Sequence, residues 1–123
     1  MLTIQVPISI GELIDKITIL EIKSELFKGV KLKNVEKELT SLKSILNDLD
    51  IEIDYRLKNK MRSINSEIWE IERLIREYEK IKKFDQDFIE IARSVYIKND
   101  LRASIKRDIN ISFNSAFIEE KSY

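Results

Sequence analysis

Apolar residues at helical spacing, repeated without interruption through the middle of the sequence, restrict most strongly how this chain can fold. They are Leu57, Met61, Ile64, Ile68, Ile71, Ile75 and Tyr78. This spacing places about one apolar side chain per turn along the same side of an α-helix. A helix from Tyr55 to Ile81 would be about 40 Å long at 1.5 Å per residue. That is more than a domain of 123 residues needs, so we expect the second and third helices to project as a hairpin, or a dimer to bury the surplus.

Start and stop signals predict two helices before this segment. Ser9 and Glu12 form a capping box at the start of a first helix, which we expect to end near Lys28, just before Gly29. A second helix is predicted from about residue 32 to residue 49, where apolar residues recur at three- and four-residue steps.

One more helix and an extended arm complete the predicted fold. Asp85 caps a fourth helix that we expect to end near Asn110, and alternating apolar and polar residues before Pro7 predict a short extended arm. Two glycines and one proline, with 36% charged residues, are typical of long helices with solvated outer sides. The predicted fold class is all-α. It is an antiparallel bundle of about four amphipathic helices with a long central helical hairpin, in a single domain spanning residues 1–123.

The composition excludes several kinds of chemistry. There is no cysteine, which excludes disulfides and sulfur-ligated zinc, and no histidine, the commonest transition-metal ligand, so we predict no metal site and no cofactor. The 22 basic residues balance 22 acidic ones, whereas nucleic-acid-binding proteins usually have a basic excess, so nucleic acid is not an expected partner. No segment reaches the roughly 20 apolar residues of a membrane span, and the start does not resemble a secretory signal. We therefore expect a cytoplasmic protein without membrane contact.

Polar residues interrupt the inward-facing sides of the first and fourth helices. In the fourth helix, the line of inward-facing positions that begins with apolar residues is later occupied by Asn99, Arg102 and Lys106. In the first helix, the corresponding line is occupied by Glu21, and Glu25 lies one turn later. Charged groups on a core-facing line are costly unless they are paired or open onto a wet groove. If the two sides meet, the two glutamates would pair with Arg102 and Lys106. One interpretation is an ion-pair cluster that fixes helix register; the other is a site for a small anion.

Trp69 is the only tryptophan and lies off the apolar stripe of the third helix. Arg73, one turn further on, can lie over its ring. Tryptophan and arginine are enriched among residues that anchor protein interfaces, so Trp69 and Arg73 are candidate interface residues. A helix that buries two sides within the bundle would account for Trp69 equally well.

Four long motifs of the sequence resemble those of one protein family. They are VPISIGELIDKITILEIKSE (6–25), WEIERLIREYE (69–79), FIEIARSVYIKNDLRASIKRDIN (88–110) and the terminal EEKSY (119–123). Together they resemble a family of short bacterial and phage proteins that has a domain of unknown function. The resemblance implies that Glu21 and Glu25 belong to one motif, and Asn99, Arg102 and Lys106 to another. It implies no activity, cofactor or substrate. Ile10 stands here where the family has proline.

Two functions stay open, and the sequence leaves undecided whether the protein is an enzyme. The first is a non-enzymatic oligomerisation or partner-binding module, most simply a homodimer, which the long third helix favours. The second is a small enzyme or a binder of an anionic metabolite, with its site in the glutamate, arginine and lysine cluster between the first and last helices.

Overall fold

The computed structural model describes all 123 residues and contains four α-helices and no strand. Helix α1 spans Ile10–Leu26, α2 spans Gly29–Asp48, α3 spans Tyr55–Lys80 and α4 spans Gln86–Ser112. Residues 1–9 form the arm, which has no regular secondary structure. The predicted all-α fold class and its four helices are thereby confirmed. None of the helices combines the length and the apolar character needed to cross a membrane.

Side-chain caps determine where α1 and α4 begin. Oγ of Ser9 accepts a hydrogen bond from the backbone N–H of Glu12 at 3.1 Å, and Oδ1 of Asp85 accepts one from the backbone N–H of Phe88 at 3.2 Å. Each cap satisfies a backbone donor that the first turn of a helix otherwise leaves unpaired. Both starts agree with the prediction.

The link between α1 and α2 differs from the prediction. Helix α1 ends at Leu26, and Phe27 and Lys28 continue in extended conformations. Gly29 does not end α1; it is the first residue of α2, with a φ of +64°, a left-handed value that glycine adopts without strain. The ring of Phe27 packs on Trp69 of α3, with ring centroids 5.9 Å apart.

Helix α1 is the central helix, because it packs against each of the other three. One core cluster joins α1 to α2 and consists of Leu13, Ile17, Leu20, Val35 and Leu39. A second cluster joins α1 to α3 and α4 and consists of Ile14, Met61, Ile64 and Ile109. Only 15 of the 123 residues are buried, so the core is small for a chain of this length.

The projecting hairpin is formed by α3 and α4, not by α2 and α3 as predicted. No Cα atom of α2 lies within 8 Å of α3 or α4, whereas α3 and α4 pack side by side. The apolar stripe of α2 is narrow, and its two buried residues, Val35 and Leu39, are both covered by α1. Beyond the end of α1 the α3–α4 pair is not covered by another helix, and no residue from Ser66 to Lys98 is buried.

Candidate functional site

Helices α1 and α4 approach each other closely at Gly11. Its backbone N–H donates to Oδ1 of Asn110 at 2.7 Å, and Asn110 is 1% exposed. A Cβ atom at Gly11 would lie 2.6 Å from the carbonyl oxygen of Lys106. Glycine is therefore needed for this contact, which aligns α1 with α4 along their axes.

Carboxylates from α1 and from the C-terminal tail surround the ammonium group of Lys106. Its Nζ lies 2.9 Å from Glu12, 3.1 Å from Asp15 and 3.6 Å from Glu119. The side chain of Lys106 is 13% exposed, so its positive charge would be costly to bury without these carboxylate partners. Burial acts to lower the pKa of Lys106, but the hydrogen bond to Glu12 and the charge of Asp15 outweigh it and raise that pKa above its ordinary value. No group of acidic side chains is arranged to hold a metal ion.

The raised pKa of Lys106 predicts a loss of stability at alkaline pH. The folded state holds this proton more tightly than the unfolded chain does. The stabilisation is therefore complete below the ordinary lysine pKa of about 10.5 and is lost as the pH rises through the higher folded-state value. We expect the free energy of unfolding, measured by urea denaturation, to fall above about pH 10. Lys106→Arg is the control, because arginine stays protonated in this range and should flatten the profile. Equal slopes in the two proteins would contradict the assignment.

A buried chain of hydrogen bonds leads from Asp15 to Arg102. Nδ2 of Asn65 donates to Oδ1 of Asp15 at 2.9 Å and to Oγ1 of Thr18 at 2.8 Å. Oδ1 of Asn65 accepts from Nη1 of Arg102 at 3.1 Å, and Nη2 of Arg102 donates to Oδ1 of Asn99 at 2.7 Å. Asp15, Thr18 and Asn65 are at most 4% exposed. The network joins α1, α3 and α4 and satisfies polar groups that burial would otherwise make costly.

The predicted pairing of Glu21 and Glu25 with Arg102 and Lys106 is wrong. Arg62 of α3 takes that place, with Nη2 at 2.6 Å from Glu25 and Nη1 at 3.9 Å from Glu21. Glu25 is exposed, and its ion pair therefore contributes little to stability.

The register of α1 against α4 explains this difference. Because Gly11 meets Asn110, Lys106 faces the first turns of α1, where Glu12 lies. Glu21 lies nine residues after Glu12, about 14 Å further along the helix, and faces α2 and α3 instead. There Nζ of Lys43 is 3.9 Å from one of its oxygens, while its other oxygen is buried without a hydrogen-bond partner.

The other three candidate residues line one cavity. Asn99, Arg102 and Lys106 face a cavity of about 320 Å³ between α4 and the tail, where Glu119 and Lys121 form part of the wall. The hydrogen bond from Lys121 holds the pKa of Glu119 below its usual range, with a further contribution from the charge of Lys106. Glu119 therefore compensates both lysines of this cavity.

Arg102 also lines a second cavity, of about 400 Å³, together with Trp69 and Arg73. The sequence assigned Arg102 to a ligand site and the other two residues to an interface, and the fold brings all three to one place. Arg76 of α3, one turn beyond Glu72, lines the same cavity. The binding roles of these residues stay predictions.

Several residues of this region were not selected from the sequence as site residues, among them Asn65, Asp15 and Arg76. Asn65 has a recognisable signal, because it lies four residues after Met61 beside the apolar stripe of α3, where a polar side chain needs a partner. Asp15 has the same signal next to Ile14 on α1. The signal for Arg76 is its position near Trp69 and Arg73, on a helix that is highly charged throughout.

Comparison with known proteins identifies a family but no activity. The chain matches no curated protein and no solved structure. Residues 4–123 match a family of unknown function, DUF6165. Because this match covers nearly the whole chain, the protein belongs to the DUF6165 family of unknown function.

Proposed function

We propose that this protein is a non-enzymatic helical module that works by self-association, with two copies packed through the side of the α3–α4 pair that faces away from α1. The observation that supports this proposal is the large accessible surface of the chain, 8971 Å². A compact monomer of 14.6 kDa would expose about 6,900 Å². The excess is about 2,000 Å², and a standard interface needs only about 800 Å² from each partner.

The arm, the tail and the α3–α4 pair all carry exposed large apolar residues. Of these, the helical pair offers a continuous regular surface. On it, Ile97 and Leu101 lie one turn apart on the same side of α4 and are 45% and 48% exposed. Leu101 also lines a groove of about 470 Å³ with Ile64 and Ile105, to which α1 contributes no residue. We call the side of the pair that carries the exposed residues Ile97 and Leu101 the outer face; Ile64 borders the groove but belongs to the core cluster with Ile14 of α1.

A second copy of the chain suits the outer face in charge as well as in size. From Ser66 to Asp108 the chain has ten acidic and ten basic residues, so net charge does not drive two copies apart. Glu67 and Asp108 line the groove together with Arg56 and Lys60. In a two-fold dimer, both copies contribute the same surface to the interface, so the acidic side chains of one copy can face the basic side chains of the other. Two such helical pairs would complete a four-helix bundle.

Light scattering of the full-length chain tests this proposal. We expect the wild type to have twice the 14.6 kDa mass of one chain and Leu101→Glu to be monomeric. A two-fold interface would contain this unpaired charge twice, which should weaken association about 100-fold or more.

Val30→Glu is the matched control for this experiment. Val30 is an apolar residue with 74% exposure near the start of α2, a helix with no Cα atom within 8 Å of α3 or α4, so this variant should remain dimeric. A wild type that is monomeric at high micromolar concentration would overturn the proposal.

A further inference from the structure

The cavity of about 400 Å³ between α1, α3 and α4, which we call the arginine cavity, shares no residue with the groove of the outer face. Its size lies in the range of small-molecule sites, about 300–1,000 Å³. Three arginines line it, Arg73, Arg76 and Arg102, against one carboxylate, that of Glu72. We propose that the arginine cavity binds a small organic anion, a carboxylate or a phosphate that is attached to a flat apolar ring.

The charge of Arg102 is not compensated within the protein. Both of its hydrogen bonds go to neutral amide oxygens, those of Asn65 and Asn99, and no carboxylate oxygen lies within 4.0 Å of its guanidinium group. By the same measure Lys106, one turn further along α4, has three carboxylate partners. A partly buried cation without a counter-ion is costly, so an anion in the cavity would be favoured.

The other two arginines of the cavity differ in how far the protein satisfies them. Arg73 binds Glu70, with Nη2 at 2.5 Å from the carboxylate. Arg76 makes no side-chain hydrogen bond and has no carboxylate within 4.0 Å, which leaves it free to turn towards a ligand. If the negative charge of Glu70 balances the positive charge of Arg73, and that of Glu72 balances the charge of Arg76, the positive charge of Arg102 remains unbalanced.

The hydrogen-bond network holds Arg102 in position for a ligand. A guanidinium group has five N–H donors, and the bonds to Asn65 and Asn99 use two of them, so three remain. Asn65 is itself held by Asp15 and Thr18 in the core, so little ordering of Arg102 is needed on binding. Planar guanidinium groups bind carboxylates and phosphates through two parallel hydrogen bonds.

The apolar part of the wall favours a ligand with a ring. Trp69, Ile68 and Ile19 form this part, and Phe27 packs on the indole and restricts its movement. A tryptophan ring stacks readily on another flat ring in an offset or edge-on arrangement. A bare inorganic anion would leave this wall in contact with water, whereas a ring would cover it and gain the free energy of apolar burial.

Trp69 allows a direct binding measurement, because it is the only tryptophan and lines the cavity. Its fluorescence in the full-length protein is titrated with phenyl phosphate and benzoate, which join a ring to an anion. Inorganic phosphate, which lacks a ring, and benzyl alcohol, which lacks a charge, are the comparison probes. We expect a saturable change with at least one of the ringed anions, with an affinity about tenfold or more above that of the comparison probes. The tighter of the two ringed anions identifies the preferred anionic group.

Matched arginine variants assign the binding to the cavity. Arg102→Gln and Arg76→Gln should each weaken binding of the ringed anion about tenfold, because each removes charge-assisted hydrogen bonds. Arg93→Gln is the control, since Arg93 is an exposed arginine of α4 outside the cavity, and binding should change less than about twofold. The side chain of Arg76 makes no hydrogen bond or ion pair within the fold, so its variant tests the site even if Arg102→Gln is unstable. Absence of saturable binding by both ringed anions, equal binding of benzyl alcohol, or unchanged binding by Arg76→Gln would overturn the proposal.

Discussion

Asp15→Ala is expected to lower the free energy of unfolding by about 3–5 kcal/mol, the usual loss when one member of a buried ion pair is removed. Asp15 is 4% exposed; Oδ1 accepts a hydrogen bond from Asn65 at 2.9 Å, and Oδ2 lies 3.1 Å from Nζ of Lys106. Without this carboxylate, a buried amide loses an acceptor, and Lys106 loses the most deeply buried of its three partners. Urea denaturation followed by circular dichroism measures the loss.

Two further variants show whether burial causes this effect. Glu25→Ala removes a carboxylate from the exposed pair with Arg62 and should cost about 1 kcal/mol or less. Asp15→Asn keeps an acceptor for Asn65 but removes the charge, so we expect an intermediate loss. If Asp15→Ala destabilised the protein no more than Glu25→Ala does, the buried network would not contribute as described.

Gly11→Ala is expected to cost about 2–4 kcal/mol, although alanine favours a helix over glycine by about 1 kcal/mol. The new Cβ would lie 2.6 Å from the carbonyl oxygen of Lys106 and 2.9 Å from Oδ1 of Asn110. The first of these atoms is backbone, so α1 and α4 would have to move apart. That movement would weaken the buried hydrogen bond from Gly11 to Asn110 and add to the loss.

Thermal or urea denaturation of Gly11→Ala should be compared with that of Gly29→Ala. At Gly29 no atom lies within 4 Å of an added Cβ, and the only expected cost is that of a left-handed φ, about 1 kcal/mol. A Gly11→Ala protein as stable as the wild type would mean that α1 and α4 are not in close contact at this position.

The starts of α1 and α4 could be predicted from the sequence because capping is a local interaction. Ser9 and Asp85 each accept a hydrogen bond from a backbone N–H three residues later, whatever lies elsewhere in the fold. The long stripe of α3 was equally informative, since its spacing alone required a helix from Tyr55 to about Ile81, and the helix ends at Lys80.

The partners of Lys106 could not be predicted in the same way. Helical spacing shows which side of a helix a residue occupies, but not which residue of another helix lies opposite. That register depends on the contact between Gly11 and Asn110, which are 99 residues apart in the sequence. A shift of two to three turns separates Glu12, the observed partner, from Glu21, the predicted one.

The arginine cavity could not be predicted from the sequence, for a related reason. Trp69 and Arg102 lie on different helices, and only the packing of α3 against α4 shows that they share a wall. Both residues are nevertheless unusual in the sequence. Trp69 lies off the apolar stripe of α3, and Arg102 lies on the apolar stripe of α4. The sequence could not indicate that Arg102, unlike Lys106, would form hydrogen bonds only with neutral side chains.

A distance between two copies is the most direct test of our central claim, that the outer faces of two α3–α4 pairs meet. The chain has no cysteine, so Ser104→Cys beside the groove and Ser44→Cys on α2 each provide a single site for a spin label. We predict a dipolar coupling between the two labels at position 104, at a shorter distance than between two labels at position 44. Absence of coupling at position 104, or a shorter distance at position 44, would contradict the claim.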